Sequence, residues 1–263
     1  MTRVFWAEIS KLTQRRPLIL ATAAVLVAAF VVTAVVFLSA EPAEVGPGRQ
    51  EGFTLEELGE AGGASRAFAA VMAVTGIFVL AVFTASWATE FSQGTFRTLL
   101  LKEPRRLALL AGKMAGMLTF AAVAMFVGLI VTWLVSLMMA PGQDVSTDAW
   151  FSLDAVAEAG ATYASALFVV AAWAGFGMML AVLLRSVPLG LGLGIAWAGP
   201  FENLTADAWD GAYRWYPGLL LRALAEGGTA DVTWERALAL LAGYLVVAVS
   251  AAALMFNRRD VAS

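Results

Sequence analysis

The chain contains no cysteine and no histidine among its 263 residues. Without cysteine it can form no disulfide, carry no thiolate nucleophile and offer no sulfur ligand to a metal ion. Without histidine it can build neither a Ser-His-Asp triad nor a zinc site ligated by imidazole. These two absences exclude many classes of enzyme, and we expect this chain to carry no catalytic residue and no metal site.

Charged residues are also scarce, at 14% of the chain, whereas 60% of the residues are hydrophobic. A soluble domain is typically about 25% charged and about 45–50% apolar. A single globular core cannot hide this excess of apolar side chains, and lipid is the natural solvent for it. We therefore predict an all-α, polytopic membrane protein in which residues 1–263 form one transmembrane domain.

Apolar runs of about 20 residues predict transmembrane helices. Six such runs are present, at 17–38, 67–89, 107–139, 160–184, 187–201 and 236–256. The first run is too long for the apolar part of a secretory signal, so we expect it to remain as a span. The third is too long for one straight crossing, and we expect it to tilt or to extend beyond the lipid.

Basic residues predict the orientation of these spans. If residues 1–16, 90–113, 185 and 257–263 face the cytoplasm, that face holds 12 of the 17 basic residues and 4 of the 20 acidic ones. Lysine and arginine in short loops accumulate on the cytoplasmic side. We therefore expect both termini and the loop after the second span to be cytoplasmic, in the plasma membrane.

Two segments outside the predicted spans carry a pattern of their own. Within residues 2–16, apolar side chains recur at helical spacing among basic ones, which favours an amphipathic helix on the inner membrane surface. An ordinary basic flank of the first span is the alternative. Residues 202–235 are rich in tryptophan, tyrosine and leucine, which predicts short re-entrant helices in the outer leaflet, with a helix lying flat at the interface as the alternative.

Ionisable side chains are rare inside the predicted spans. Lys113 lies near the inner end of the third span, and Glu202 follows the end of the fifth. Ion-coupled carriers need ionisable groups within the bilayer, and intramembrane proteases need an activated nucleophile or an acid pair. The sequence argues against both classes. It also lacks the G-x-x-x-x-G-K-[ST] motif, so any ATP-driven work must draw on another polypeptide.

The cytoplasmic loop reads EFSQGTFRTLLLKEPRR, residues 90–106, followed by LLAGK. Gly94 and Thr95 can begin a short helix with a hydroxyl cap, and Pro104 ends it. A helix of two to three turns at this place can lie on the membrane or present an apolar and basic face to a partner. The residues by themselves favour neither use.

This loop resembles the loop between the second and third spans of ABC-2-type transporter permeases. The resemblance consists of an acid, a Gly-Thr pair, a leucine pair, a proline and a Gly-Lys that opens the next span. The residues on this pattern are Glu90, Gly94, Thr95, Leu99, Leu100, Pro104 and Lys113. Here Arg105 and Arg106 follow the proline directly, where the family more often has a small spacer, so the resemblance leaves open which arginine takes the family role.

The resemblance implies a permease subunit of a type V exporter-like ABC transporter. Two permease copies, forming a homodimer in membrane lipid, would each bind a cytoplasmic ATPase that holds ATP and magnesium, and would export a hydrophobic or amphipathic compound. This chain would carry no cofactor and bind no nucleic acid. A non-transporting scaffold subunit of another membrane complex is the alternative.

The resemblance also implies roles for particular residues. Residues 94–103 would form the coupling helix that meets the ATPase. The contact would involve Glu90, Gly94, Thr95, Phe96, Arg97, Leu100, Pro104 and Arg105. Trp197, Phe201 and Glu202 would lie on the translocation path. For Arg97 a role as a membrane-surface anchor is the alternative, and for Glu202 a role as a cap of the fifth span.

Overall fold

The computed structural model describes residues 1–42, 53–206, 208–209 and 211–258. Helix predominates throughout these residues. The β-structure among them consists of two isolated bridges, Glu41 with Thr54 and Gly228 with Thr233. The predicted all-α class is therefore confirmed.

Five helices in the described part of the chain are long and apolar enough to cross a membrane. They are α2 (Arg15–Leu38), α4 (Gly63–Ser92), α6 (Arg106–Met139), α7 (Leu153–Leu184) and α11 (Trp234–Arg258). By length and composition the chain is a multi-pass membrane protein. The long third run does extend further, because α6 continues directly into a 3-10 turn, Ala140–Gln143.

The fifth predicted span is not one regular helix. It consists of α8 (Val187–Ala196), a π-helical turn (Trp197–Phe201) and α9 (Glu202–Ala206). Pro200 lies in the π-helical turn, where its missing N–H interrupts the α-helical pattern of hydrogen bonds. Single π-helical turns inside α-helices are frequent at functional sites.

Short helices connect the long ones. They are α1 (Thr2–Leu12), α3 (Leu55–Gly59), α5 (Thr95–Lys102) and α10 (Pro217–Ala225), together with 3-10 turns at Asp148–Phe151 and Ala212–Arg214. Helix α3 begins with a capping box, in which the Thr54 hydroxyl accepts from the Glu57 N–H and the Glu57 carboxylate accepts from the Thr54 N–H.

The described residues form two compact units. One consists of Leu18–Thr75 and Ala122–Leu167. Its core includes Phe37, Leu58 and Trp150, and the Trp150 indole N–H donates to the Leu58 carbonyl at 2.9 Å. This bond satisfies the polar atom of a fully buried tryptophan.

The other unit consists of Met1–Pro17, Gly76–Ala121 and the described residues from Phe168 onward. Its core includes Trp87, Phe96, Leu109, Ala181 and Phe256. All residues of the cytoplasmic loop motif lie in this unit. The single transmembrane domain that the sequence leads us to expect stays a prediction.

Candidate functional site

Helix α5 is the centre of the loop motif. The preceding Gly94 has φ +67°, a left-handed conformation that glycine adopts without steric cost. At the other end Glu103 is extended, as expected for a residue before proline. The helix predicted over 94–103 is thus present as Thr95–Lys102, bounded by the two residues that the sequence indicated.

Phe96 anchors α5 in the core of its unit. Its side chain is fully buried, and its ring centroid lies 4.3 Å from that of Phe91, 5.3 Å from that of Phe256 and 6.0 Å from that of Trp87. Packed aromatic pairs contribute about 0.5–1.5 kcal/mol beyond the burial of their area. Phe96 therefore ties α5 to α4 and α11, and a role in holding the helix suits it better than direct contact with a partner.

The opposite side of α5 is exposed. Arg97, Thr98 and Leu101 share this surface, which we call the α5 outer face. Leu101 is 86% exposed, although it is a leucine in the middle of a structured helix. Sequence analysis missed Leu101, although its spacing of four residues from Arg97 could have identified it. Leu100, which was expected at the surface, is half-buried.

Four charged side chains lie together next to α5, and we call them the ion quartet. The Lys113 Nζ lies 2.9 Å from Glu90 Oε1 and 3.1 Å from Glu8 Oε1. The Lys11 Nζ lies 2.7 Å from Glu90 Oε1 and 3.3 Å from Glu8 Oε1. Each lysine thus contacts both glutamates, and the quartet links α1, α4 and α6.

The quartet lies largely out of water. Lys113 is 1% exposed, and its ammonium also lies 5.1 Å from the centroid of the Trp87 ring. Burial acts to lower the pKa of Lys11, but the hydrogen bond and the charge of Glu90, together with those of Glu8, outweigh it and raise that pKa. The four charges balance to zero, as buried charges must if they are to remain ionised.

Helix α1 packs against the glycine face of α6. A Cβ on Gly112 would lie 2.9 Å from the Val4 Cβ, and a Cβ on Gly116 would lie 3.0 Å from the Glu8 Cβ. Both distances are too short for any larger residue to fit without displacement. The G-x-x-x-G spacing therefore serves the approach of α1, and it brings Glu8 to Lys113.

The two arginines after Pro104 have different environments. The Arg106 guanidinium donates to the Phe256 carbonyl at 3.1 Å and to the Asn257 carbonyl at 3.2 Å. It thereby satisfies carbonyl groups at the end of α11, where a cation is also favoured by the helix dipole. The Arg105 side chain is 85% exposed and lies 3.6 Å from Glu103. Arg105 is therefore the arginine that a partner can reach.

The second candidate site divides into an exposed and a buried part. Trp197 and Phe201 stack at 4.6 Å on the surface, whereas Glu202 is completely buried. Its Oε2 accepts a hydrogen bond from the Leu219 N–H at 3.0 Å, and a Cβ on Gly218 would lie 2.5 Å from the same oxygen. Glu202 thus caps α10, whose own N-cap residue provides no side-chain bond.

Comparison with known proteins identifies a family without assigning an activity. No curated protein matches the chain. The model of the family described as "protein of unknown function (DUF2705)" matches residues 26–262, which include the loop motif, most of the ion quartet and all of α4 to α11. The chain therefore belongs to the DUF2705 family.

Proposed function

We propose that the chain is the membrane-spanning permease subunit of an ABC transporter, energised by a separate cytoplasmic ATPase. The observation that carries the proposal is the construction of α5. This short helix lies between two candidate spans, is held from inside by Phe96 and presents Leu101 and Arg97 to the outside. An exposed leucine beside a cation suits a partner surface better than it suits water.

The neighbours of α5 would transmit a push on its outer face. Phe96 connects α5 to α4 and α11, Arg106 connects the start of α6 to the end of α11, and the ion quartet joins α4 and α6 to α1. In this arrangement Glu90, Gly94, Thr95 and Phe96 hold the helix in position. Arg97, Leu101, Pro104 and Arg105 would contact the ATPase, which would bind ATP and magnesium.

The proposal includes a topology of six spans. Residues 187–201, with their π-helical turn, would form the fifth crossing, so that both termini and α5 face the cytoplasm as the basic residues favour. Helix α1 would lie at the inner membrane surface, and α10 would be re-entrant from the outer side. Two copies in the plasma membrane would export a hydrophobic or amphipathic compound, with Trp197 and Phe201 facing the path.

The test compares two exposed leucines. Leu101 is 86% exposed on the α5 outer face, and Leu153, 88% exposed, begins α7. We would replace each with glutamate, isolate the tagged chain from its native membrane in mild detergent, and quantify co-purifying P-loop ATPase by mass spectrometry. Leu101→Glu should abolish the association, because it places a charge in a desolvated contact. Leu153→Glu should leave it unchanged.

A backbone change provides a second arm. Gly94→Pro cannot adopt φ +67° and loses the Gly94 N–H that donates to the Phe91 carbonyl at 3.2 Å. It should misplace α5 and uncouple ATP hydrolysis from transport while the chain remains in the membrane. If the wild-type chain carried no P-loop ATPase, or if Leu101→Glu retained it fully, a scaffold subunit of another complex would be the better assignment.

A further inference from the structure

A partly open groove of about 660 Å³ lies between α1 and α5. Its apolar wall includes Val4, Leu99 and Leu109, and its charged rim includes Arg3 and Lys102. The volume is within the range of about 300–1,000 Å³ that small-molecule sites occupy. The groove thus combines an apolar interior with a cationic entrance.

The charges of this groove are not balanced within the described chain. Glu8 is engaged by Lys113 and Lys11, and Glu103 lies beside Arg105. Across residues 1–42, 53–206, 208–209 and 211–258, neither Arg3 nor Lys102 forms an ion pair with an acidic side chain. An anion of matching shape would therefore meet two cations that no carboxylate of these residues already neutralises.

Trp6 indicates the depth at which the groove lies. It is 64% exposed and lies one helical turn from Arg3 on α1. Tryptophan is enriched at the membrane–water interface, where its ring meets the headgroups. An amphipathic helix with exposed tryptophan and arginine on neighbouring positions is typical of a helix lying at that level.

We propose that the groove binds the phosphate headgroup of an anionic phospholipid, with Arg3 and Lys102 contacting the phosphate and Val4, Leu99 and Leu109 contacting the start of its acyl chains. Arginine can bind a phosphate through two parallel hydrogen bonds, and lysine adds a point charge. Basic pockets on the cytoplasmic side of membrane helices suit such lipids. The site rests on the membrane placement in the proposed function, but not on transport.

The experiment measures lipid binding by the full-length chain alone. The purified protein in neutral detergent is titrated with an equimolar mixture of phosphatidylglycerol and phosphatidylcholine, and bound lipids are counted by native mass spectrometry. One phosphatidylglycerol per chain should bind in preference to phosphatidylcholine. The double variant Arg3→Gln, Lys102→Gln should weaken this binding by roughly 10- to 30-fold, the effect of two basic residues near a membrane surface.

The matched control is Arg15→Gln, Arg16→Gln, which removes two exposed arginines outside the groove. It should bind phosphatidylglycerol as the wild type does. Equal losses in both double variants would mean diffuse attraction and overturn the site, as would a wild type without preference for phosphatidylglycerol. Displacement of the lipid by excess inorganic phosphate would show that free phosphate, not a lipid, is the ligand.

No ATPase is present in this experiment, so its result is separate from the Leu101 test. Loss of ATPase association in Leu101→Glu with normal lipid binding would support the transporter and leave the groove intact. Loss of ATPase association in Arg3→Gln, Lys102→Gln without any change in lipid binding would instead assign the groove to the partner protein and overturn the lipid proposal.

Discussion

The Lys113 ammonium lies 2.9 Å from the Glu90 carboxylate, and both side chains are shielded from water. The two residues are 23 positions apart, on α6 and α4, so their pairing fixes how these helices meet beside α5. Glu8 of α1 contacts the same ammonium at 3.1 Å. A single lysine thus joins three helices around the loop motif.

Lys113→Met is expected to destabilise the protein strongly. The substitution keeps most of the side-chain volume but leaves Glu8 and Glu90 with only Lys11 as a cation. Removing one partner of a buried ion pair typically costs about 3–5 kcal/mol. Denaturant titration in detergent, followed by tryptophan fluorescence, measures the free energy of unfolding.

Two further variants make this result specific. Lys102→Met removes an exposed lysine and should change the free energy of unfolding by less than about 0.5 kcal/mol. Combining Lys113→Met with Glu90→Gln should recover part of the lost stability, because the double variant leaves less buried charge without a partner. A double variant as unstable as the sum of its single variants would show that the pair is not coupled.

Gly116→Val is expected to displace α1. Its Cβ alone would lie 3.0 Å from the Glu8 Cβ and 3.2 Å from the Phe5 carbonyl oxygen, and the valine methyl groups would add to the clash. Because the chain has no cysteine, spin labels at introduced Ser10→Cys and Ser92→Cys would be the only two. The distance distribution between them should broaden and shift to longer values. Gly192→Val, where the Cβ meets open space, should leave it unchanged.

The orientation in the membrane can be measured with the same cysteine-free background. Ser92 and Ser146 are both exposed in the structure. With α5 in the cytoplasm, Ser92→Cys should resist an impermeant thiol reagent in intact cells and react only after lysis. Ser146→Cys, in the loop after α6, should react in intact cells. Labelling of position 92 before lysis would reverse the proposed topology.

Replacing Glu202 separates a structural role from a charge-dependent one. Glu202→Ala removes the acceptor of the Leu219 N–H, and an unsatisfied buried donor costs about 1–3 kcal/mol. Glu202→Gln keeps an acceptor oxygen and should cost clearly less. Denaturant titration of both variants measures this difference. If glutamine were as destabilising as alanine, the negative charge would matter more than the cap.

Hydrophobicity was sufficient to predict the long helices, but their ends followed other forces. Helix α7 begins at Leu153, seven residues before the predicted span, and includes Asp154 and Glu158. An apolar run marks the part of a helix that lipid can surround, whereas the helix itself continues wherever its backbone bonds are satisfied. Similarly, α4 begins at Gly63 and includes Arg66 in its first turn.

The loop motif was predicted more completely than the residues that support it. Gly94 and Pro104 determine the ends of α5 through local backbone geometry, which the sequence records directly. Glu8 and Lys11 are about 80 to 100 positions from Glu90 and Lys113, and in the sequence they look like ordinary surface charges of a basic flank. Their burial depends on α1 reaching the glycine face of α6, a tertiary contact that local patterns do not contain.

The π-helical turn at Trp197–Phe201 makes the length of this segment as restrictive as its composition. Such a turn holds one residue more than the α-helical path requires. Deleting one residue there would let α8 and α9 join in a single regular helix, and every later side chain would rotate by about 100° around the axis. The carboxylate of Glu202 would then turn away from the Leu219 amide. Within the family, gain or loss of a residue at this point should therefore accompany loss of the acidic cap.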